Sequence, residues 1–247
     1  MDPIHQFQIN PIVPFSLGGL DVSFTNSSLA MAVVFVLAWY IMVVGTRRAA
    51  IVPNRMQSLA EMLYEFVSSL VQENAGRKAR PYFPLVFSIF IFVLFGNLVG
   101  LVPGMFTYTS HIIVTFALGM MVIIFVTVLG ITLHGVHFFS LFMPPGAPIW
   151  LAPVVVPIEI ISYFIRPISL GVRLFANMMA GHTMLKVFAG FVILMASGMG
   201  KIGYLAGIAP IVINIALTGF EIMVAILQAY VFSILTCLYI HDAVELH

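Results

Sequence analysis

From Leu85 to Val102 the chain reads LVFSIFIFVLFGNLVGLV, and after a turn at Pro103-Gly104 it continues from His111 to Leu133 as HIIVTFALGMMVIIFVTVLGITL. Neither run contains Asp, Glu, Lys or Arg, and the charge-free stretch extends from Pro81 to Ile158. A helix needs about 20 apolar residues to cross a bilayer, so each run is long enough for one crossing. Two such spans on so short a link predict an antiparallel transmembrane hairpin, 85–102 and 111–133. Gly96 and Gly100 flank Asn97 in the first span, a small-xxx-small spacing that predicts close approach of a neighbouring helix.

The composition agrees with that reading. Of 247 residues, 62% are apolar and 8% charged, with a mean hydropathy of +1.12. Water-soluble domains carry about 45–50% apolar and about 25% charged residues, so a soluble protein is excluded. A formal net charge of +1 gives no basis for a nucleic-acid surface or an acidic tail. Cys237 is the single cysteine, so neither an intrachain disulfide nor a multi-Cys metal site can form.

Upstream of the hairpin, an apolar run over 29–46 predicts the first span. Six of the ten basic residues follow it: Arg47, Arg48, Arg55, Arg77, Lys78 and Arg80. By the positive-inside rule that segment faces the cytoplasm or matrix and the N-terminus faces the opposite side. Residues 1–15 have no basic region and are broken by Pro3, Pro11 and Pro14, unlike a secretory signal peptide. Within the basic segment Met56, Leu59, Ala60, Leu63, Phe66, Val67, Leu70 and Val71 recur at helical spacing, with Glu61, Glu65 and Glu73 between them. This predicts an amphipathic helix over 56–75 lying on the membrane surface, begun by a capping box at Ser58 and Glu61 and ended at Gly76.

Beyond a Pro-rich connection over 143–157 the pattern changes. Long apolar segments over 151–196 and 205–240 contain Glu159, Arg166, Arg173, Lys186 and Glu221, together with Asn177, His182, Asn214 and Gln228. A charge at mid-membrane costs at least about 2.5–3.5 kcal/mol, so these residues need a functional reason. Glu159, Arg166 and Arg173 are seven apart, as are Asn214, Glu221 and Gln228. Seven residues leave a straight helix about 20° short of two turns, so each trio forms a slowly drifting polar seam. Ser162, Ser169 and Ala176 run beside the first seam, and Ala180 lies seven beyond Arg173. Small residues around a lone guanidinium predict a tightly packed helix contact that includes Arg173. His182 follows Arg173 by nine residues, about half a turn away in direction, so the two face different environments. Arginine stays charged and supplies a fixed field, whereas histidine and a carboxyl group can exchange protons. That division of chemistry suits proton movement. Asn177 and Gln228 are also suited to interhelical hydrogen bonding, and Arg166 and Lys186 to snorkelling or ion pairing.

At Pro167-Ile-Ser-Leu-Gly-Val-Arg-Leu-Phe-Ala-Asn-Met-Met-Ala-Gly-His182 the chain resembles subunit a of the F-type ATP synthase. Glu159 lies fourteen residues before the arginine, Gly-Asn97-Leu-Val-Gly-Leu-Val-Pro resembles the family's second-helix motif, and Glu221 with Gln228 precedes Ala-Tyr-Val-Phe. The resemblance spans the chain from roughly Phe24 onward. Its His182 and Glu221 arrangement is similar to mitochondrial and alphaproteobacterial members; many other bacterial members carry Glu and His the other way round.

The resemblance implies an all-α polytopic membrane protein: an N-terminal span, an interfacial helix, a hairpin, then two long tilted helices against a ring of c-subunits. It implies a proton-translocating stator subunit with two aqueous half-channels. Arg173 would face the ring carboxylates, with Asn177, His182, Glu221 and Gln228 on the external path, Glu159, Ser162 and Ser169 as candidates for the internal one, and Asn214 as a further residue of the proton pathway. It further implies the c-ring, b-type peripheral stalk subunits and the rest of the complex as partners, and a bacterial inner membrane, or alternatively a mitochondrial one, as location. ATP chemistry would belong to other subunits, and no cofactor or metal is expected.

Two other functional classes make different demands. A stand-alone secondary transporter or ion channel predicts internal repeats with broken helices in both halves, but the polar residues gather at one end of the chain. A redox subunit needs His pairs across two spans, and His134 with His137 has no second pair. No His-Glu-x-x-His, Gly-x-Ser-x-Gly or P-loop motif occurs.

Overall fold

The structure, a computed structural model, describes residues 7–17, 20–21, 23–47, 50–102, 104–143, 149–198 and 207–245. Pro3, Arg48, Pro103, residues 144–148 of the Pro-rich connection and 205–206 of the final predicted segment lie outside the described residues.

The chain is an all-α polytopic membrane protein. Its helices are α1 (Asn26–Thr46), α2 (Arg55–Ala75), α3 (Phe83–Gly100), α4 (Ile112–His134), α5 (Ala152–Gly198) and α6 (Ile208–Val244). Among the described residues five helical segments are long and apolar enough to cross a membrane, and α2 is not among them. Short 3₁₀ turns over Arg77–Tyr82, Tyr108–Ser110 and Gly135–Phe142 join the helices. Pro157 and Pro167 lie inside α5, yet it continues as one 47-residue helix. The N-terminal segment adds four short strands: β1 (Pro11–Val13) pairs with β4 (Phe24–Thr25), and β2 (Ser16–Leu17) with β3 (Leu20–Asp21). Asn26 ties this ribbon to α1: its side chain donates to the Gln8 carbonyl at 2.9 Å and accepts from the Asn10 amide at 3.2 Å.

The start of α2 corrects the expected capping box. Asn54, in extended backbone after Pro53, accepts from the Gln57 amide at 2.8 Å and begins the helix at Arg55. Ser58 is therefore already inside the helix, and Glu61 instead accepts from the Gln57 side chain at 2.7 Å. An Asx side chain in extended backbone satisfies the free amides one turn earlier than the serine could. Gly76 ends the helix at φ +76°, a conformation that a side chain would strain.

Two compact units share these helices: Met1–Leu37, Val93–His111 and Leu174–Gln228 form one, and Ala38–Phe92, Ile112–Arg173 and Ala229–His247 the other. In the second, α2 buries Ala60, Val67, Leu70 and Val71. Tyr64 stacks edge-on against Phe83 at 4.9 Å, and Phe66 lies 5.4 Å from Phe90. Helices α4 and α5 meet backbone to backbone. A Cβ at Gly119 would lie 2.7 Å from the Pro167 carbonyl oxygen, and one at Gly171 2.9 Å from that of Thr115.

In the first unit the glycine pair of α3 has a different neighbour from the expected helix. Tyr108 fills the space over Gly96, and Thr107 that over Gly100, where a Cβ would lie 2.6 Å from the Thr107 methyl. The glycines thus receive the chain's own return loop. The loop is short, so its side chains fold back over the end of the helix they have just left.

Candidate functional site

On α5 the residues Leu174, Met178 and His182, four apart, form a buried row. On α6 Glu221, Ala225 and Gln228 are buried. These rows bring His182 and Glu221 together, with Nε2 of the imidazole 3.8 Å from Oε1 of the carboxylate. Gly181 leaves room for the carboxylate, since a Cβ there would lie 2.7 Å from the Glu221 carboxyl carbon. Neither carboxylate oxygen of Glu221 has a hydrogen-bond partner among the described residues. The 3.8 Å separation exceeds hydrogen-bond length, so the two groups are neighbours without a direct hydrogen bond.

Asn177, Gly181, Phe220, Glu221, Leu227 and Gln228 line a cleft of about 360 Å³ between the two helices. Most of its wall is apolar, and Asn177, Glu221 and Gln228 supply its polar side chains. Asn97, fully buried on α3, donates to the Ala225 carbonyl of α6 at 3.3 Å, in the same turn as Glu221. Thr107 lies 3.1 Å from His182 Nε2, and Phe7 packs edge-on to the His182 ring. In the loop around Thr107, burial raises the Tyr108 phenol above its ordinary range and lowers the His111 imidazole below its own.

A second polar group sits in the other unit. Glu159, Tyr163, Arg166, Tyr239 and Asp242 line a cavity of about 170 Å³ with Val126 and Phe142. Arg166 Nη1 lies 3.9 Å from Asp242 Oδ2, and the Tyr163 and Thr127 hydroxyls are hydrogen bonded at 2.8 Å. The seven-residue spacing of Glu159 and Arg166 therefore places both on one cavity wall.

Arg173 differs from all of these. It is exposed and makes no ion pair among the described residues. Ser169, Ala176 and Ala180 are exposed as well, with Val172 and Ile168 beside them.

The sequence profile described as ATP synthase A chain matches residues 27–241. This chain belongs to that family. Curated relatives named ATP synthase subunit a include one from Parvibaculum lavamentivorans, 53% identical over 245 residues that cover 99% of this chain and 94% of the relative. Another, from Rhizobium leguminosarum bv. trifolii, is 54% identical over 244 residues, covering 99% and 97% respectively. A third, from Granulibacter bethesdensis, is 50% identical over 247 residues, covering 100% and 98%.

The structure brings Asn177, Glu221 and Gln228 to one cleft, with His182 against Glu221. Glu159 lies in the separate cavity. Ser162, half-buried, and Ser169, exposed, do not line that cavity, and Asn214, half-buried, does not line the cleft. Arg166 is paired with Asp242, while Lys186 is exposed. Thr107, Tyr163 and Asp242 escaped the sequence reading because each is polar without periodic company. Asn97 was visible as part of a motif, but its bond to Ala225 was not. His134 is half-buried and His137 exposed, and the described residues hold no group of three or more His, Cys, Asp or Glu that could bind a metal.

Proposed function

We propose that this chain is the proton-translocating stator subunit of an F-type ATP synthase in the bacterial inner membrane. It works against a ring of c-subunits, each bearing a membrane carboxylate, and is held by b-type peripheral stalk subunits. The observation that carries this reading is Arg173: a permanent cation, exposed and with no ion pair among the described residues, on a long apolar helix. A guanidinium left without a carboxylate in such a setting is matched by a carboxylate on a partner.

The mechanism follows from charge and proton chemistry. Arg173 attracts the ionised form of an arriving ring carboxylate, so the carboxyl releases its proton on approach. Because guanidinium does not give up its own proton, it also separates the two aqueous paths. His182 and Glu221, with Asn177 and Gln228, serve the external path, where imidazole and carboxyl exchange protons beside an open cleft, and Asn214, elsewhere on α6, belongs to the proton pathway. Glu159, with Ser162 and Ser169, serves the internal path. Small residues at Ser169, Ala176 and Ala180 let ring helices approach closely. ATP synthesis itself takes place on other subunits, driven by rotation of the ring.

Arg173→Ala in the assembled, membrane-reconstituted complex tests this reading. Coupled ATP synthesis falls at least about a hundredfold while the amount of assembled complex is unchanged, as expected for loss of a fixed charge at a reacting centre. Normal coupling in the variant would end the proposal. Transport by the purified chain alone would favour a stand-alone transporter instead.

A further inference from the structure

Thr107 Oγ1 contacts two groups, and its single proton decides what both can do. It donates to the Gly100 carbonyl at 3.0 Å, an oxygen that can only accept. The same Oγ1 lies 3.1 Å from His182 Nε2. A hydroxyl has one proton and it is committed to Gly100, so toward His182 Thr107 can act only as acceptor. Nε2 must then carry hydrogen.

We propose that Thr107 is a positioning residue that fixes His182 as the Nε2–H tautomer, so that the proton His182 gains and loses resides on Nδ1. This deepens the function proposed above and rests on it.

The surroundings make the constraint a firm one. Thr107 is buried at 6% exposure, and its carbonyl accepts from the Ser110 hydroxyl at 2.6 Å and the Ser110 amide at 3.2 Å. Its methyl occupies the space left by the missing side chain at Gly100. The hydroxyl is thereby held between a backbone carbonyl and the imidazole. Among the described residues, the charged groups acting on His182 are Glu221, 3.8 Å away on α6, and Lys186 one turn on in α5. Phe7 contributes only a ring edge.

The assignment has a chemical consequence. Neutral and protonated His182 both donate from Nε2 toward Thr107, and they differ only at Nδ1. Glu221 Oε1 is on the Nε2 side, so the neighbouring carboxylate sees a permanent N–H rather than the exchanging proton. Traffic between the two residues then requires a route to Nδ1, by water or by ring rotation.

Two measurements on the assembled complex in membranes decide the point. The first is nitrogen NMR with ring-labelled histidine, in which the His182 signal is assigned by its loss in His182→Gln. At a pH where the ring is neutral, the Nε2–H tautomer is expected; an Nδ1–H signal overturns the assignment. The second compares proton flux and its pH profile in Thr107→Val and Thr107→Ser. Valine keeps the shape and removes the acceptor, so flux falls roughly tenfold, the scale of one lost hydrogen bond, and the profile shifts. Serine keeps the hydroxyl and rescues most of the flux.

Equal flux in parent and valine variant, or a serine variant as poor as valine, overturns the proposal. If the valine variant does not assemble, the NMR result on the parent still decides. Arg173→Ala runs alongside: if it couples normally the stator reading fails, whereas a normal Thr107→Val beside a dead Arg173→Ala removes only this inference.

Discussion

The α3–α4 hairpin and the long helices α5 and α6 are similarly apolar, but they use that property differently. Of one 18-residue apolar stretch in each span, 56% is buried within the chain in α3 and 33% in α4, against 11% in α5 and 17% in α6. The hairpin spans carry no charge, whereas Arg173, His182 and Glu221 all lie on the long helices. Packing explains the first pair. It cannot explain the second, because a helix that leaves most of its surface uncovered gains little from a buried carboxylate or a lone guanidinium. On the function proposed above, the contrast is between a scaffold, whose residues are chosen for fit, and a working surface, whose residues serve charge and proton exchange.

The sharpest way to break that separation after Arg173→Ala is Glu221→Gln. The amide keeps the shape between Gly181 and His182 and removes the group that takes up a proton. If the long helices work by proton exchange, flux per assembled complex falls about a hundredfold, the usual lower scale for removing a general acid or base. Assembly, read by native gel, should be unchanged. A variant with normal flux would mean that the His182 and Glu221 contact only holds α5 to α6.

The opposite signature is expected in the hairpin. Gly119→Leu forces a side chain onto the Pro167 carbonyl, only 2.7 Å from where its Cβ must sit. Neither backbone can yield without separating α4 from α5. Overpacking of this kind costs about 1–3 kcal/mol. Less complex should assemble, with a lower unfolding temperature, but each assembled complex should conduct normally. Reduced flux per complex at normal yield would show that the hairpin is more than scaffold.

The same contrast governs what the sequence made legible. The hairpin, the basic segment and the end of α2 at Gly76 follow from composition, charge position and glycine chemistry, which are local properties. The polar seams were readable because seven-residue spacing survives along a helix. The missed contacts are non-local. Thr107 meets His182 across 75 positions, and Asn97 meets the Ala225 carbonyl across 128. A backbone acceptor has no sequence signal at all, and a lone threonine in a loop has no period. The glycine pair of α3 shows the converse error: spacing reveals that something approaches closely, but not whether a helix or the chain's own loop does so. The capping box failed for a local reason, because Asn54 was an equally good cap placed one turn earlier.

The smallest expected effect concerns the ion pair of the second unit. Arg166 and Asp242 face each other at 3.9 Å, and their side chains are 45% and 42% exposed. Pairs this exposed gain modest Coulomb energy and lose side-chain freedom in forming, so they are worth about 0–1 kcal/mol. Asp242→Asn should therefore shift the unfolding temperature barely and leave assembly intact. Its effect on flux separates two roles for the cavity that Asp242 shares with Glu159. If Glu159 alone passes protons there, Asp242→Asn leaves flux near normal while Glu159→Gln lowers it. If both variants lower flux equally at unchanged stability, the carboxylates act as a relay and the pair with Arg166 is a charge control rather than a tether. A large loss of stability would refute the solvated-pair reading, because only a carboxylate held out of water leaves its partner so costly when removed.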